Sequence, residues 1–367
     1  MIRRYLPKNV EELVHWYERY VSPLSLVAGF ISDNLFLTRR VDLWTTNALL
    51  SFYLVVSAGG IVLLNRIESS RVLVRRLLSF APIVPLVIQF AFGGLFSGFL
   101  SLYSRSAGDI ISWIFVAIVA VLLIGNERFS RLYVRVPFQI AILFTTLFAF
   151  LIFFLPVVFH RIGEGMFIAS GLSALAIASL FIILLMRLVP ETRKHLTTTA
   201  RAIAVIYIVF NILYFTNAIP PLPLALKDAG VYHNVVHDTV AGQYLLQGEL
   251  FPWYERFLPI PSVFREAPGE SAFVYTSIFA PSGLSTLVVD QWQWYDPAQK
   301  SWTTEASIAY QIQGGRDGGY EGYSEYPSPQ EGKWRVNVLT GYGQLIGRVS
   351  FTVVAVPAQV PLESETK

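Results

Sequence analysis

The chain has 367 residues, 54% hydrophobic and only 14% charged, with mean hydropathy +0.51, whereas a soluble domain carries about 25% charge. Through residue 226 there are 19 Lys/Arg and 10 Asp/Glu, net +9, and from residue 227 onward 9 and 15, net −6, which together give the chain's +3. The bases flank apolar runs, so the pI near 9.0 points to membrane topology and away from nucleic acid; the absence of cysteine excludes disulfides, thiolate-bound metals and a thiol nucleophile.

Residues 1–21 lack an apolar core and a small-residue cleavage site, and read as a retained cytoplasmic lead. Seven apolar runs come next within 22–219, near 22–38, 43–64, 77–102, 110–125, 136–159, 166–186 and 202–219. Each approaches the roughly 20 residues that span a bilayer core. The first is short and contains Asp33 and Asn34. Intramembrane polar residues are costly, and those two are the pair to weigh as a solute path against a plain helix-end or interhelical bond. Gln89, Asn211 and Tyr214 are milder cases. Gly94 and Gly98 lie four apart on one helix face and permit close helix packing.

Charge orients the spans. The lead and the loops after spans two, four and six hold 15 Lys/Arg, among them Arg66, Arg128 and Arg193; the opposite loops hold four, Arg39, Arg40, Arg105 and Arg161. Positive residues favour the cytoplasm, so the N-terminus is expected inside and the C-terminus outside. After the last span, Pro220, Pro221 and Pro223 end the helix. Residues 220–264 read as a Pro- and aromatic-rich connector, within which 250–261 is suited to the membrane interface or to packing against the C-terminal domain.

From 265 to 356 the apolar period becomes twofold. Strands are expected at Ala272–Ala280, Leu287–Tyr295, Trp302–Ile312 and Trp334–Val338, with a final strand carrying Leu345, Val349, Phe351 and Val353. Asp296-Pro297 and Gly341-Tyr342-Gly343 supply turns. The expected fold is therefore a membrane all-α helical bundle of seven transmembrane helices plus a C-terminal all-β antiparallel sandwich, Ig-like, with 357–367 a flexible tail.

GKWRVNVLTGYGQLIGRVSFTVV, preceded by VVDQWQWYD and GGRDGGYEGYS, and the junction NILYFTNAIPPLPLALKDAGVYH, resemble the bacterial module known as domain of unknown function 2914 in its multi-span form. The resemblance implies a polytopic inner-membrane protein with an exported β domain and no assigned activity. Relatives often place a His where Asp290 and Gln291 stand and a basic residue at Glu321.

Candidate chemistry is sparse. His233 and His237 are four apart, a zinc spacing on a helix, but a zincin needs Glu where Asn234 stands, and on a strand the pair lies about 13 Å apart. They are weak metal candidates. No nucleophile elbow is present. Gly314–Tyr326 lacks the Lys-Ser/Thr ending of a phosphate loop. Its Arg316, Tyr320, Tyr323 and Tyr326, with Trp292, Trp294 and Trp302, are the candidate binding residues: an aromatic platform for a sugar or peptide, weighed against a core-and-turn role. No cofactor and no nucleic-acid partner are expected. The expected protein is a non-catalytic, multi-pass bacterial inner-membrane protein in contact with the lipid bilayer. Its periplasmic domain recognises an envelope polysaccharide or an envelope protein. The alternatives are a solute transporter or channel-like bundle regulated by the β domain, and a membrane enzyme acting on lipid-linked sugars.

Overall fold

A computed structural model describes residues 42–69, 83–128, 132, 135–238, 242–249, 262–316 and 318–367. The chain forms two compact units: residues Met1–Ser104 with Trp113–Ile219, and Arg105–Ser112 with Pro220–Lys367.

Six helices stand among the described residues of the first unit: α1 Trp44–Ser69, α2 Ile83–Arg105, α3 Ser112–Arg128, α4 Val136–Phe159, α5 Glu164–Leu188 and α6 Leu196–Phe215. A 3-10 turn, Pro190–His195, leads into α6. Five are long and apolar enough to cross a membrane, α6 being counted with its 3-10 turn, and α3 is shorter. The count among the described residues is thus six and not seven; the expected span at 22–38, with Asp33 and Asn34, lies outside them.

Helix α4 packs against α1, α5 and α6. It is apolar on all sides, as a central helix must be, and Phe148 anchors it. That ring stacks on Phe210 at 4.6 Å and on Phe167 and Tyr207 at 5.6 and 5.8 Å. The flanking helices leave Leu172, Leu180, Val205, Ile208 and Ile212 exposed, the pattern of a lipid-facing surface. Interior polar groups bond across helices. Asn65 donates to Gln139 at 2.7 Å, Tyr103 to the Ala149 carbonyl at 2.8 Å and Ser170 to the Leu151 carbonyl at 3.0 Å. Gln89 and Asn126 exchange side-chain to backbone bonds between α2 and α3. Asn211 bonds within its own helix and Tyr214 stacks on Phe167. At Gly94 a Cβ would come within 2.5 Å of the Tyr53 ring, so its missing side chain sets the approach of α1 and α2.

The second unit holds eleven strands among its described residues: β1 Ala225–Tyr232, β2 Asn234–Asp238, β3 Gln243–Glu249, β4 Ser262–Glu266, β5 Ser271–Phe279, β6 Ser285–Asp296, β7 Ser301–Gln313, β8 Tyr320–Pro327, β9 Gly332–Thr340, β10 Leu345–Ala355 and β11 Leu362–Thr366. They form three sheets, ordered β1-β5-β8, β4-β10-β9-β6-β7 and β11-β3-β2. The Ig-like two-sheet sandwich is therefore replaced by three sheets, and β4 pairs with β10 in parallel. The stretch read as a connector contributes β1 to β4, and the C-terminal tail pairs with β3 through β11. Both segments are rich in polar residues that alternate weakly, so their strands hold by pairing more than by pattern. Residues 250–261 lie outside the described residues.

The inner faces of the first two sheets enclose a core of Phe264, Val274, Trp292, Trp334, Val336, Phe351 and Val353. Strict alternation puts them there: Trp334, Val336 and Val338 are buried, as the twofold period requires. A second, smaller core of Val235, Leu246 and Tyr275, flanked by Tyr232, Tyr244 and Phe273, joins β2, β3 and β5. Among the described residues, strand β7 pairs only with β6. In that register Ala306 faces Trp292 and Thr304 faces Gln293, which leaves Glu305 unpaired as a bulge.

Candidate functional site

The same alternation that buries Trp292 and Trp334 sends their neighbours outward. On β6 these are Gln291, Gln293 and Tyr295; on β9, Arg335 and Asn337; on β10, Arg348; on β7, Trp302. Gln293 pairs with Arg335, Gln291 with Asn337 and Asn337 with Arg348 across the sheet. Cross-strand neighbours this close interact side chain to side chain. Arg335 Nε donates to Gln293 Oε1 at 2.7 Å, and Asn337 Nδ2 donates to the Gln293 and Gln291 oxygens at 3.1 and 3.2 Å. Arg348 Nε donates to Asn337 Oδ1 at 2.6 Å and its guanidinium stands 3.7 Å from Asp109. Gln293 Nε2 in turn donates to Thr304.

At one end of this row the Arg335 guanidinium lies 4.2 Å from the centre of the Trp302 ring, a cation–π distance. Trp302 meets Tyr295 edge-on at 5.3 Å. Burial and the neighbouring Arg348 draw the Arg335 pKa down from its usual value, yet an arginine stays charged. Its Nε is bonded, and its terminal amino groups take no protein partner among the described residues. The row is therefore a prearranged polar strip, buried at Asn337 and half-buried at Gln291, Gln293 and Arg335, with one aromatic plane and free cationic donors at its end.

The sequence-derived platform is dispersed. Trp292 is 0% exposed, stacked on Tyr326 and edge-on to Trp334, with its indole N–H on Ser324. It cannot face a ligand. Trp294 packs against the same core. Tyr326 does likewise, whereas Tyr323 is 40% exposed on the other face, beside Phe273 and Tyr244. Strand geometry explains the split: residues three apart point to opposite faces, and Tyr320–Pro327 is a strand rather than a turn. Tyr320 lies 6.0 Å from the Arg316 guanidinium, and Arg316 is exposed. The glycines ahead of β8 make the turn. Gly315 and Gly319 have φ of +112° and +104°, open to glycine at little strain. A Cβ at Gly314 would collide with the Pro281 carbonyl. Of the seven candidate residues only Trp302 belongs to the polar strip. Arg335, Gln293 and Asn337 were missed because the alternation was read for its apolar half alone; the polar half carried the signal.

His233 and His237 also part company. His237 is exposed and stacks on Tyr244 at 4.4 Å. His233 is buried against Phe264, Nδ1 2.8 Å from Glu270 and Nε2 3.4 Å from Glu249. Glu249 also accepts from the Arg265 guanidinium and from the Arg265 backbone N–H at 2.6 Å. Burial works against the charge on His233, but the two glutamates outweigh it and raise its pKa. Burial likewise opposes ionised Glu249, and His233 and Arg265 outweigh it and lower the carboxyl. Both ring nitrogens are thus engaged by carboxylates. Among the described residues no group of three His, Cys, Asp or Glu is arranged to hold a metal ion. A second buried carboxyl, Asp290, accepts from Tyr310 at 3.3 Å, and Tyr310 also bonds Thr276 at 2.8 Å. Burial pushes Asp290 up to about 6, with Ser324 and Tyr310 working against it.

Residues 285–353 match the family described as "Protein of unknown function (DUF2914)". Five apolar helices long enough to cross a membrane precede the match. It runs from the first residue of β6 into β10 and so contains the whole strip from Gln291 to Arg348. No curated protein matches the chain. Among solved structures, an alkylpurine DNA glycosylase AlkC from Pseudomonas fluorescens, bound to DNA containing an abasic site analogue, aligns over 86% of this chain and 100% of its own. The identity is 10% and the TM-score 0.21, a likeness too weak to indicate a shared fold.

Proposed function

We propose that this is a membrane-anchored recognition protein whose β unit binds an acidic polysaccharide of the bacterial envelope along the outer face of its five-stranded sheet. The observation that carries the reading is Arg335, fixed over Trp302 by Gln293, with terminal donors that no described residue uses. A sugar ring presents an apolar face and a rim of hydroxyls. An aromatic plane, an amide row and a cation match that chemistry, and Arg335 would meet a carboxylate or phosphate substituent. The hydrogen bonds among Arg335, Gln293, Asn337 and Arg348 hold the strip in place before binding, which lowers the entropic cost of association.

An external position for the β unit is supported by the positive-residue bias. The reading thus places the β unit in the periplasm of a cytoplasmic membrane.

The full chain in nanodiscs should bind polygalacturonate more tightly than uncharged dextran. Arg335→Gln and Trp302→Ala should each weaken that binding tenfold or more, while Tyr323→Ala leaves it unchanged. Equal binding of both polymers by all four proteins would sink the reading. Reporters fused after Lys367 and beside Arg193 should give opposite-side signals.

A further inference from the structure

The helical unit contains a cavity of about 640 Å³ that the β-unit reading does not use. It lies where the C-terminal end of α1, the start of α4, the end of α5 and the start of α6 converge. Its walls are of two kinds. Val136, Phe138 and Val189 make an apolar side, and Arg135, Lys194 and His195 bring cationic or protonatable groups, with Glu191 the single carboxylate among the described lining residues. Neither Arg135 nor Lys194 has an ion-pair partner among the described residues. Both are exposed, so their charges are available to a ligand. Asn65 is held by Gln139 and Thr192 by the Val189 carbonyl, which keeps the inner wall ordered.

From this juxtaposition we infer that the cavity binds an anionic phosphate group, with the headgroup of an anionic phospholipid as its source. Two unpaired cations at the end of an apolar bundle attract phosphate. The apolar wall beside them accepts the glycerol and first methylenes of an acyl chain, which a free phosphate would leave uncovered. Glu191 is the one described lining residue that repels an anion, so Arg135 and Lys194 supply the selectivity.

The test uses the full chain, delipidated in an uncharged detergent, with bound lipid counted by native mass spectrometry and thermal stability followed in parallel. Dioleoylphosphatidylglycerol should bind with a stoichiometry of one at this site and raise Tm, and zwitterionic phosphatidylcholine should do so at least tenfold less well. The double variant Arg135→Gln/Lys194→Gln should lose the preference. Arg161→Gln, an exposed change between α4 and α5, should keep it. Inorganic phosphate or glycerol phosphate that protects as well as the lipid would retain the phosphate site and reassign its source to a soluble ligand. No preference for phosphatidylglycerol in the unaltered chain, or an equal loss in both variants, overturns the inference. Unchanged helical circular dichroism in each variant separates loss of the site from loss of the fold.

Discussion

The two faces of the five-stranded sheet are built by one alternation and serve opposite ends. Inward, β6 and β9 supply Trp292 and Trp334, which meet edge-on at 6.4 Å and are closed off from water. Outward, the next residues along the same strands supply Gln293 and Arg335, bonded at 2.7 Å in partial contact with solvent. The inner face draws its energy from apolar area removed from water. The outer face contributes less, because its hydrogen bonds are only part-buried and exchange largely for bonds to water. A residue one step along a strand therefore moves from the folding problem to the surface proposed for binding.

The largest effect should come from the inner face. Trp334→Ala leaves a cavity in the principal core and should cost about 3–5 kcal/mol, read as faster hydrogen exchange across β6, β9 and β10. Full protection of those strands would show that the core does not depend on that ring.

Next is the buried charge group. Glu249→Gln strips His233 and Arg265 of their shared carboxylate and should cost about 3 kcal/mol. Its pH signature has a definite sign. The raised His233 pKa stabilises the fold fully below the ordinary histidine value of about 6.5, and that contribution fades as pH rises through the raised value. The lowered Glu249 carboxyl contributes above about 4.5 and loses its contribution as pH falls. The variant should remove the Glu249 dependence and weaken that of His233, which keeps Glu270 at 2.8 Å, and a Tm-against-pH curve parallel to that of the unaltered chain would contradict this assignment.

Asp290, buried on the same inner face as Trp292, behaves in the reverse sense to Glu249. Its folded pKa near 6 lies above the ordinary 3.8, so the fold prefers the protonated acid. Stability should fall as pH rises from about 4 to about 6, by up to roughly 3 kcal/mol. Asp290→Asn should flatten that decline in a denaturation series, and a decline that persists would place its cause elsewhere.

The smallest change in stability belongs to the outer face. Arg335→Gln should shift it by less than about 0.5 kcal/mol while weakening the proposed glycan binding tenfold or more. A large loss of Tm with binding intact would reverse the division of labour between the faces.

Much of the architecture was legible in the sequence because it rests on period. Apolar runs near 20 residues located the helices, and a twofold apolar period, strict at Trp334–Val338, located β5, β6, β7, β9 and β10. What stayed hidden depends on partners distant in the chain. Strand β4 and strands β3 and β11 pair across long separations, as Glu266 lies beside Ala355 and Glu249 beside Leu362. His233 finds Glu249 and Glu270, and no spacing announces such a triad. The tyrosines misled because a glycine-rich stretch reads as a turn that can present them together, whereas the strand Tyr320–Pro327 places Tyr323 and Tyr326 on opposite faces.

The bulge at Glu305 has a consequence beyond the single chain. Strand β7 is the longest among the described residues and forms the outer limit of its sheet, thirteen residues beside a neighbour on one flank only. Proteins confined to a membrane collide in two dimensions at high local density, and a straight border of free amides would let copies zip together. The extra residue interrupts the ladder and leaves a carboxylate standing clear of it. Crowded copies can meet along that border, but they cannot continue one another's sheet.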